Sequence, residues 1–397
     1  MATLHPSRTL DSKDLRHLLL GLGFSAAGGG GGYRLGQALV DAIVRDIPQS
    51  RWRIHDVRAA LDTDFAVTAG GIGAPSAVNP TTILSFIDDV QLAVEAYAEG
   101  EGVAVNALLP IEAGPVNAIL SLYLGWKLGY KVFDCDGAGR AVPSLTNLVY
   151  GYNGYPIAPI WLAGKVGSRP KALLVSPPPA NAAEAEGAIR SNLGPFGFAA
   201  GLTCWGQSGA ALRGSKHLIP HTLSRLISLG AEAAATGFTK NSLLAFLRTR
   251  PDVVLVRSGI LRGIEQHGGS GHDGGVLSIA GDDGVEYQIH YLNENMLLTR
   301  GPSRQEVVAT APSSISTMFQ PRGSVTFQPL NHGDDLASQG VEGHPVIFCV
   351  IKDSGVLFQP EVADSFKAIL KRKPFDYDGP FIPPQPDDPR TRGPWAA

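Results

Sequence analysis

The sequence predicts an α/β N-terminal domain with a mostly parallel sheet, followed by a β-rich C-terminal domain. Three observations carry this expectation. Short strand patterns alternate with amphipathic helical ones from Trp52 to Phe133, the signature of βαβ units. From Val253 onward, strand-like runs separated by turn signals such as Gly281-Asp282-Asp283-Gly284 replace the helices. The 48 glycines and 29 prolines among 397 residues imply many tight turns and argue against a helical bundle. The expected divisions are 1–165 for the α/β domain, 166–373 for the β-rich domain, and 374–397 for an extended proline-rich tail.

Asp11 or Ser12 is placed to cap a first helix, with Asp14 in its first turn and Leu15, Leu18, Leu19 and Leu22 as its apolar stripe. A glycine run, Gly28 to Gly32, follows. A second helix runs from Tyr33 to Ile47 and is stopped by Pro48. Strands are expected at Trp52–His55 and Phe65–Thr68, the latter entering a glycine turn, Gly70 to Gly73. A long helix, Thr81–Glu99, precedes a buried strand, Val103–Leu109. Asn117–Leu128 reads as a helix ended by Gly129, and Lys131–Phe133 as a strand leading into Asp134. Further on, a strand is expected at Lys171–Val175 and helices at Ala183–Leu193, Thr222–Gly230 and Asn241–Leu247. Six strands follow: Val253–Val256, Gly275–Ala280, Val285–Leu292, Glu306–Ala309, Gly323–Pro329 and Val346–Ile351.

Composition limits the function classes. Hydrophobic residues make up 44% and charged residues 17%, with a formal net charge of −3. Neither nucleic acid nor an anionic membrane is an expected partner of such a chain. No apolar run reaches the ~18 residues of a spanning helix, and Met1 to Ser12 lacks a secretory pattern. Cys135, Cys204 and Cys349 are too few and too widely spaced for a disulfide framework. A soluble cytoplasmic protein is expected.

Glu112, Asp134 and Asp136 are the carboxylates best placed for chemistry. Glu112 and Asp134 both lie just past expected strand ends, where open α/β sheets bind ligands. Such groups activate water, hold a metal, or bind the N–H groups of a cyclic imide; otherwise they serve as caps and as a salt bridge to Arg140. The glycine run precedes a helix, so its N–H groups could hold an anion or a carbonyl oxygen. It follows a helix, which weakens a dinucleotide-binding reading, and no Lys-Ser or Lys-Thr follows it, so it is not a P-loop. A tight helix–helix crossing explains it equally well. His217 and His221, and His267 and His272, are candidate metal pairs without the flanking Glu of an H-E-x-x-H site. Cys204, between Thr203 and Trp205, reads as a buried filler. Ser208 is not in a G-x-S-x-G elbow. Asn293-Glu294-Asn295 closes an apolar strand and could cap a pocket or form a turn.

The stretch Glu112–Asn147, with Asp134-Cys135-Asp136-Gly137-Ala138-Gly139-Arg140-Ala141-Val142-Pro143 at its centre, resembles the S-methyl-thiohydantoin desulfurase family. Gly28 to Gly31, the turn Gly71-Ile72-Gly73-Ala74-Pro75, Pro220 to Arg225 and Leu292 to Asn295 extend the resemblance over most of the chain. It implies action on a five-membered cyclic imide or thioimidate: water replaces a methylthio group on the ring carbon between two nitrogens, giving a hydantoin and methanethiol. On this reading Glu112 or Asp134 is the base, with Asp136 beside it. Gly29, Gly30, Gly31, Gly73, Asn117, Arg140, Asn293 and Glu294 bind the substrate. A divalent metal such as zinc is the candidate cofactor, and it would activate water itself by lowering the pKa of the bound molecule to ~7. Expected partners are the small cyclic substrate, further copies of the chain, and a hydantoinase- or oxoprolinase-type protein. The chain departs from the family at Ala27 and Gly32-Tyr33 around the glycine loop, at Ser144, where a Glu is usual, and at His221, where a small residue is usual. Two other readings are a non-catalytic subunit of a hydantoinase- or oxoprolinase-type assembly, and a small-molecule or nucleotide-binding protein cradling phosphate on Gly28 to Gly32.

Overall fold

The computed structural model describes residues 7–383, apart from 75, 76, 80, 270, 271, 303–305 and 354. Its first ten strands are β1 (Ser7–Thr9), β2 (Arg53–His55), β3 (Phe65–Gly73), β4 (Ala107–Pro110), β5 (Lys131–Phe133), β6 (Cys135–Asp136), β7 (Trp161–Val166), β8 (Arg169–Leu174), β9 (Ala199–Ser208) and β10 (Ile219–Pro220). Eight of them form one sheet in the order β1-β2-β5-β4-β3-β9-β7-β8. The four strands β2, β5, β4 and β3 are mutually parallel, and the others join antiparallel. The expected division at 165/166 falls within β7, so this sheet takes strands from both sides of it.

The helices are α1 (Ser12–Ser25), α2 (Tyr33–Asp46), α3 (Ile83–Glu101), α4 (Asn117–Leu128), α5 (Ala182–Asn192), α6 (Gly209–Arg213), α7 (Thr222–Ala234), α8 (Lys240–Thr249) and α9 (Pro360–Leu370). Asp11 caps α1 in a reciprocal box with Asp14. Gly129, left-handed at φ 75°, ends α4. Leu15, Leu18 and Leu22 of α1, Ile119 of α4 and Leu223 and Leu226 of α7 belong to one hydrophobic core. The tight helix crossing that a glycine permits lies at Gly21 of α1 and Gly230 of α7, where a Cβ would collide with a backbone carbonyl of the other helix.

The second sheet is wholly antiparallel. Its strands are β11 (Val253–Gly269), β12 (His272–Gly281), β13 (Glu286–Leu292), β14 (Glu294–Arg300), β15 (Glu306–Thr310), β16 (Ser314–Phe319) and β17 (Pro345–Ile351), in the order β15-β14-β13-β12-β11-β17-β16. The fold class is therefore the expected one, an α/β unit with a parallel centre followed by a β-rich unit.

Two expected elements differ. Gly70 to Gly73 is not a turn: β3 continues through it and pairs with β9, Gly71 opposite Gly201. The glycines are there because a Cβ at Gly70 or Gly71 would press on Ile111 or Phe86. Gly323–Pro329 is not a strand beyond a single bridge between Phe319 and Gln328. Gly323 is left-handed at φ 77°, and Ser324 turns its hydroxyl onto the Thr326 carbonyl at 2.9 Å, so local bonds replace a ladder.

Most of the 374–397 tail lies outside the described residues. Its start rests on the body, with Phe375 and Phe381 buried and the Thr310 N–H donating to the Ile382 carbonyl at 2.8 Å. Among the described residues, no helix is long and apolar enough to cross a membrane.

Candidate active site

The glycine run is shaped by the β-rich unit. Gly28, Gly30 and Gly31 adopt φ values of 85°, 69° and 83°, open to glycine without strain. Asn331 Nδ2 donates to the carbonyls of Gly29 and Gly31, at 3.0 and 2.6 Å. The His332 N–H donates to the Gly28 carbonyl at 3.1 Å, and the Asn295 N–H to that of Ala27 at 2.6 Å. Gly32, at the start of α2, has no side chain to cap it; Asp334 does so instead, accepting the N–H groups of Tyr33 and Arg34 at 2.9 and 2.8 Å. Buried His332 meets Asn295 Oδ1 at 2.7 Å and stacks on Tyr291 at 3.6 Å; burial pushes its pKa down to about 3. On its other side the loop meets Gly114 so closely that a Cβ at Gly30 would collide with the Gly114 Cα.

Held this way, the Gly30 N–H donates to Glu294 Oε1 at 3.2 Å. Glu294 follows Asn293, whose φ of 57° reverses the chain between β13 and β14. Its other carboxyl oxygen, Oε2, is buried with no partner among the described residues. Burial, and then the charge of Glu112, raise the Glu294 pKa well above the usual carboxylate range, against the pull of Arg140.

Glu112 follows β4 and is buried as well. Unlike Glu294, both its oxygens accept bonds that favour the ionised form: Asn117 Nδ2 donates to Oε1 and the Val142 N–H to Oε2, each at 2.7 Å. Asn117 is itself oriented by the Gly71 N–H, which donates to its Oδ1 at 2.8 Å. Burial raises the Glu112 pKa to about 7 against those two donors. The pair thus has unequal environments, one carboxyl with two donors and one with a single long bond.

Both face one cavity of about 100 Å³. Gly30, Gly31, Glu112, Asn117, Asn293 and Glu294 contribute to its lining, and Gly73 lies on it too. Much of the rest is apolar, including Ile72, Phe86, Val116, Leu148 and Leu202. Half-buried Glu186 and Arg190 lie on the same lining, paired at 2.7 Å. Gly29 is not on the cavity, but a Cβ there would collide with the Glu294 carboxylate.

Other sequence candidates are placed elsewhere. Arg140 does not line the cavity. Its buried guanidinium donates to the carbonyls of Ala141, Pro312 and Ser313 at 2.8, 2.7 and 3.0 Å, and burial pushes its pKa down to about 10. Asp136 is fully buried and spent on the turn after it, accepting from the Gly139 N–H and the Thr222 hydroxyl at 2.7 Å each. Asp134 belongs to a separate depression with Ser7, Arg8, Ile54, Asp56, His221 and Ser224. There it accepts the Ser224 N–H at 3.1 Å at the start of α7. The structure therefore does not bring Asp134 and Glu112 together.

The four histidines are dispersed. His217 lies against Tyr155 at 4.8 Å; His221 meets Arg58 at 2.8 Å; His267 is exposed on β11; His272 lies 3.3 Å from the Pro143 carbonyl. Among the described residues, no group of three or more His, Cys, Asp or Glu is arranged to hold a metal ion. Cys204 is a buried filler on β9 whose thiol is pushed up to about 12 by burial, and Ser208 caps α6. Sequence reasoning missed Phe86, Glu186, Arg190 and Asn331. Of these only Asn331 left a signal: Asn331-His332-Gly333-Asp334 has the spacing of a capping box.

Fold and site together define a two-domain protein with a cavity of small-molecule size where the two units meet. The chain belongs to the S-Me-THD-like family: its N-terminal domain matches over residues 13–170 and its C-terminal domain over residues 180–346. A crystal structure of a protein from Chromobacterium violaceum is similar over 94% of this chain and 98% of its own, at 27% identity and a TM-score of 0.70. No curated protein matches the chain.

Proposed function

We propose that the chain is a hydrolase that removes a methylthio group from an S-methyl thiohydantoin-like ring, with Glu112 as base and Glu294 as acid. The observation that carries this reading is the unequal pair of buried carboxyls on one cavity. Two such groups whose environments push them apart divide acid and base roles at neutral pH.

The ring carbon between the two nitrogens carries sulfur and a C=N bond, so it is electrophilic. Water adds to it: the C–O bond forms, one water proton passes to Glu112, and the ring nitrogen takes the proton of Glu294. The intermediate then collapses. Its hydroxyl proton passes to Glu294, the C–S bond breaks, and the departing sulfur takes the proton from Glu112. Hydantoin and methanethiol leave, and both carboxyls return to their starting states. Asn117 and the Val142 N–H keep Glu112 ionised and aimed.

The test is methanethiol release from S-methyl thiohydantoins by the chain purified alone. Turnover that falls on the order of 10²–10⁴-fold in both Glu112→Gln and Glu294→Gln supports the assignment. Full turnover in either variant removes that residue from the mechanism. Metal analysis of protein purified without chelator tests the metal-assisted version, since stoichiometric zinc would transfer water activation from Glu112 to the ion.

A further inference from the structure

We infer that Arg140 is the positioning residue for the acid: its fixed, buried charge holds the negative charge that passes from Glu112 to Glu294, acting across one water bound between Arg140 Nη2, Ser313 Oγ and Glu294 Oε2. The inference rests on the hydrolase reading above and deepens it.

Arg140 links the surroundings of the two carboxyls. On one side its carbonyl accepts the N–H of Ala113, next to Glu112, at 3.2 Å, and Val142, two residues on, donates to Glu112 itself. On the other side its Nη1 donates to the carbonyls of Pro312 and Ser313. Those residues run beside Glu294. The Ala311 N–H donates to the Met296 carbonyl at 2.8 Å and Asn295 Nδ2 to the Ile315 carbonyl at 2.7 Å, and Ser313 falls between those two contacts. Bonds to three carbonyls fix the guanidinium, yet Nη2 takes part in none of them. Nη2, Ser313 Oγ and Glu294 Oε2 are all buried and have no hydrogen-bond partner among the described residues. Arg140, Ser313 and Glu294 are each at most 2% exposed. A donor, a hydroxyl and a carboxyl oxygen in one buried neighbourhood are met together by a single water, which makes about three such bonds. It accepts from Nη2 and donates to Oε2 once that oxygen carries charge.

Charge gives this arrangement its role. Before the reaction Glu112 carries the negative charge and Glu294 the proton. Once Glu294 has protonated the ring nitrogen and Glu112 has taken a water proton, the charge has moved from one to the other. Of the carboxylates around Arg140, Glu294 acts on it most strongly, ahead of Asp353 and Glu112. The move therefore places the charge where the guanidinium holds it better. A preorganised buried charge that interacts more strongly after the transfer than before it lowers the barrier. The neighbouring charges have other partners. Arg190, which also acts on Glu294, is paired with Glu186 at 2.7 Å. Asp353 has Arg225 as a second cation, and accepts the Gly355 and Leu357 N–H groups at 2.8 and 3.3 Å.

The test follows the Glu294 carboxyl directly, by NMR of the glutamate carboxyl carbons with Glu294→Gln to assign the signal, and measures the pH profile of methanethiol release alongside. Arg140→Gln removes the charge. Ser313→Ala removes only Oγ, since the bond from Arg140 uses the Ser313 carbonyl. In Arg140→Gln the Glu294 titration and the alkaline limb of kcat are expected to move to higher pH, because the carboxylate has lost its counter-charge. Its kcat is expected to fall by on the order of 10²-fold or more, with KM little changed. Ser313→Ala is expected to move both in the same direction by less, and Arg140→Lys, which keeps the charge, to recover part of kcat. A Glu294 titration that stays in place in both variants overturns the inference, and turnover by the wild type then leaves the hydrolase reading standing. If circular dichroism shows Arg140→Gln unfolded, Ser313→Ala alone decides. A Glu294 titration that moves in a protein without turnover overturns the hydrolase reading and keeps Arg140 as the counter-charge of Glu294. An unmoved titration without turnover overturns both.

Discussion

The Gly30 N–H and the Glu294 carboxylate meet at 3.2 Å across 264 residues of sequence. That bond joins the glycine loop of the first unit to the β13–β14 reversal of the second. Among the described residues it is the one hydrogen bond at Glu294, whose Oε2 has none. A carboxyl so placed keeps its proton to higher pH than one with two donors, such as Glu112.

A pH profile follows from this inequality. Glu112 must be ionised to act as base, and its pKa is pushed up to about 7. As pH falls through that value it protonates, so kcat/KM should fall on the acid side with a midpoint near 7. Glu294 must be protonated to act as acid, and burial raises its pKa well above the usual carboxylate range. Activity should therefore fall again on the alkaline side. Rate measurements from pH 5 to 10 check both limbs, and Glu112→Gln should remove the acid one together with most of the turnover. A flat acid side in the wild-type protein would contradict Glu112 as base.

The close approach of Gly30 to Gly114 makes a second prediction that separates packing from backbone strain. Gly30 and Gly102 have similar φ, 69° and 63°, but a Cβ at Gly102 meets nothing within 4 Å. Gly102→Ala should cost about 1–2 kcal/mol for left-handed backbone alone. Gly30→Ala adds a collision with the Gly114 Cα, so its midpoint in urea should fall further, and its turnover with it. Equal losses in the two variants would show that the loop yields to the extra atom.

Asn331 should matter although it touches no substrate. Its amide satisfies the buried Gly29 carbonyl and the part-buried Gly31 carbonyl, on either side of the N–H that reaches Glu294. Asn331→Ala leaves both without that donor, at about 1–3 kcal/mol for each buried group left unpaired. Because the loop sets the bond to Glu294, the alkaline limb of the pH profile should move as well. A variant that loses stability but keeps the wild-type alkaline limb would mark Asn331 as a structural residue only.

Local features were legible in the sequence because local physics makes them. The Asp11 cap, the helix Asn117–Leu128 with Gly129 behind it, and the strand Lys131–Phe133 depend on neighbours within a few positions. Glu112, Asn117, Gly30 and Glu294 could be picked out as candidates for the same reason, being polar or glycine at the ends of elements. What the sequence could not carry was long-range placement. Arg140 looks like a free donor until its guanidinium is seen turned to carbonyls 172 and 173 residues away. Gly70 to Gly73 reads as a turn because the side chains that demand glycine there, Phe86 and Ile111, lie on other elements. The strand Ala199–Ser208 went unread because Thr203, Cys204 and Gln207, all buried, break the apolar alternation that marks a strand.

Asp134 gives the sharpest contrast between sequence position and spatial role. It stands beside Asp136 in the family-like motif, yet it faces the start of α7 and not the cavity that holds Glu112. Asp134→Asn should therefore leave kcat near the wild-type value, while Glu112→Gln does not. Its effect should appear in stability and depend on pH. The Asp134 carboxylate faces His221 Nδ1 at 3.9 Å and raises the His221 pKa above its usual value. A histidine with a raised folded pKa contributes stability that is fully present below its unfolded pKa, about 6.5, and that is lost as pH rises through the folded one. The stability gap between wild type and Asp134→Asn should thus be larger in mildly acidic urea titrations than at pH 9. His221 is 42% exposed, so solvent screening keeps the gap small. A large loss of turnover in Asp134→Asn with unchanged stability would place this carboxylate in the chemistry after all.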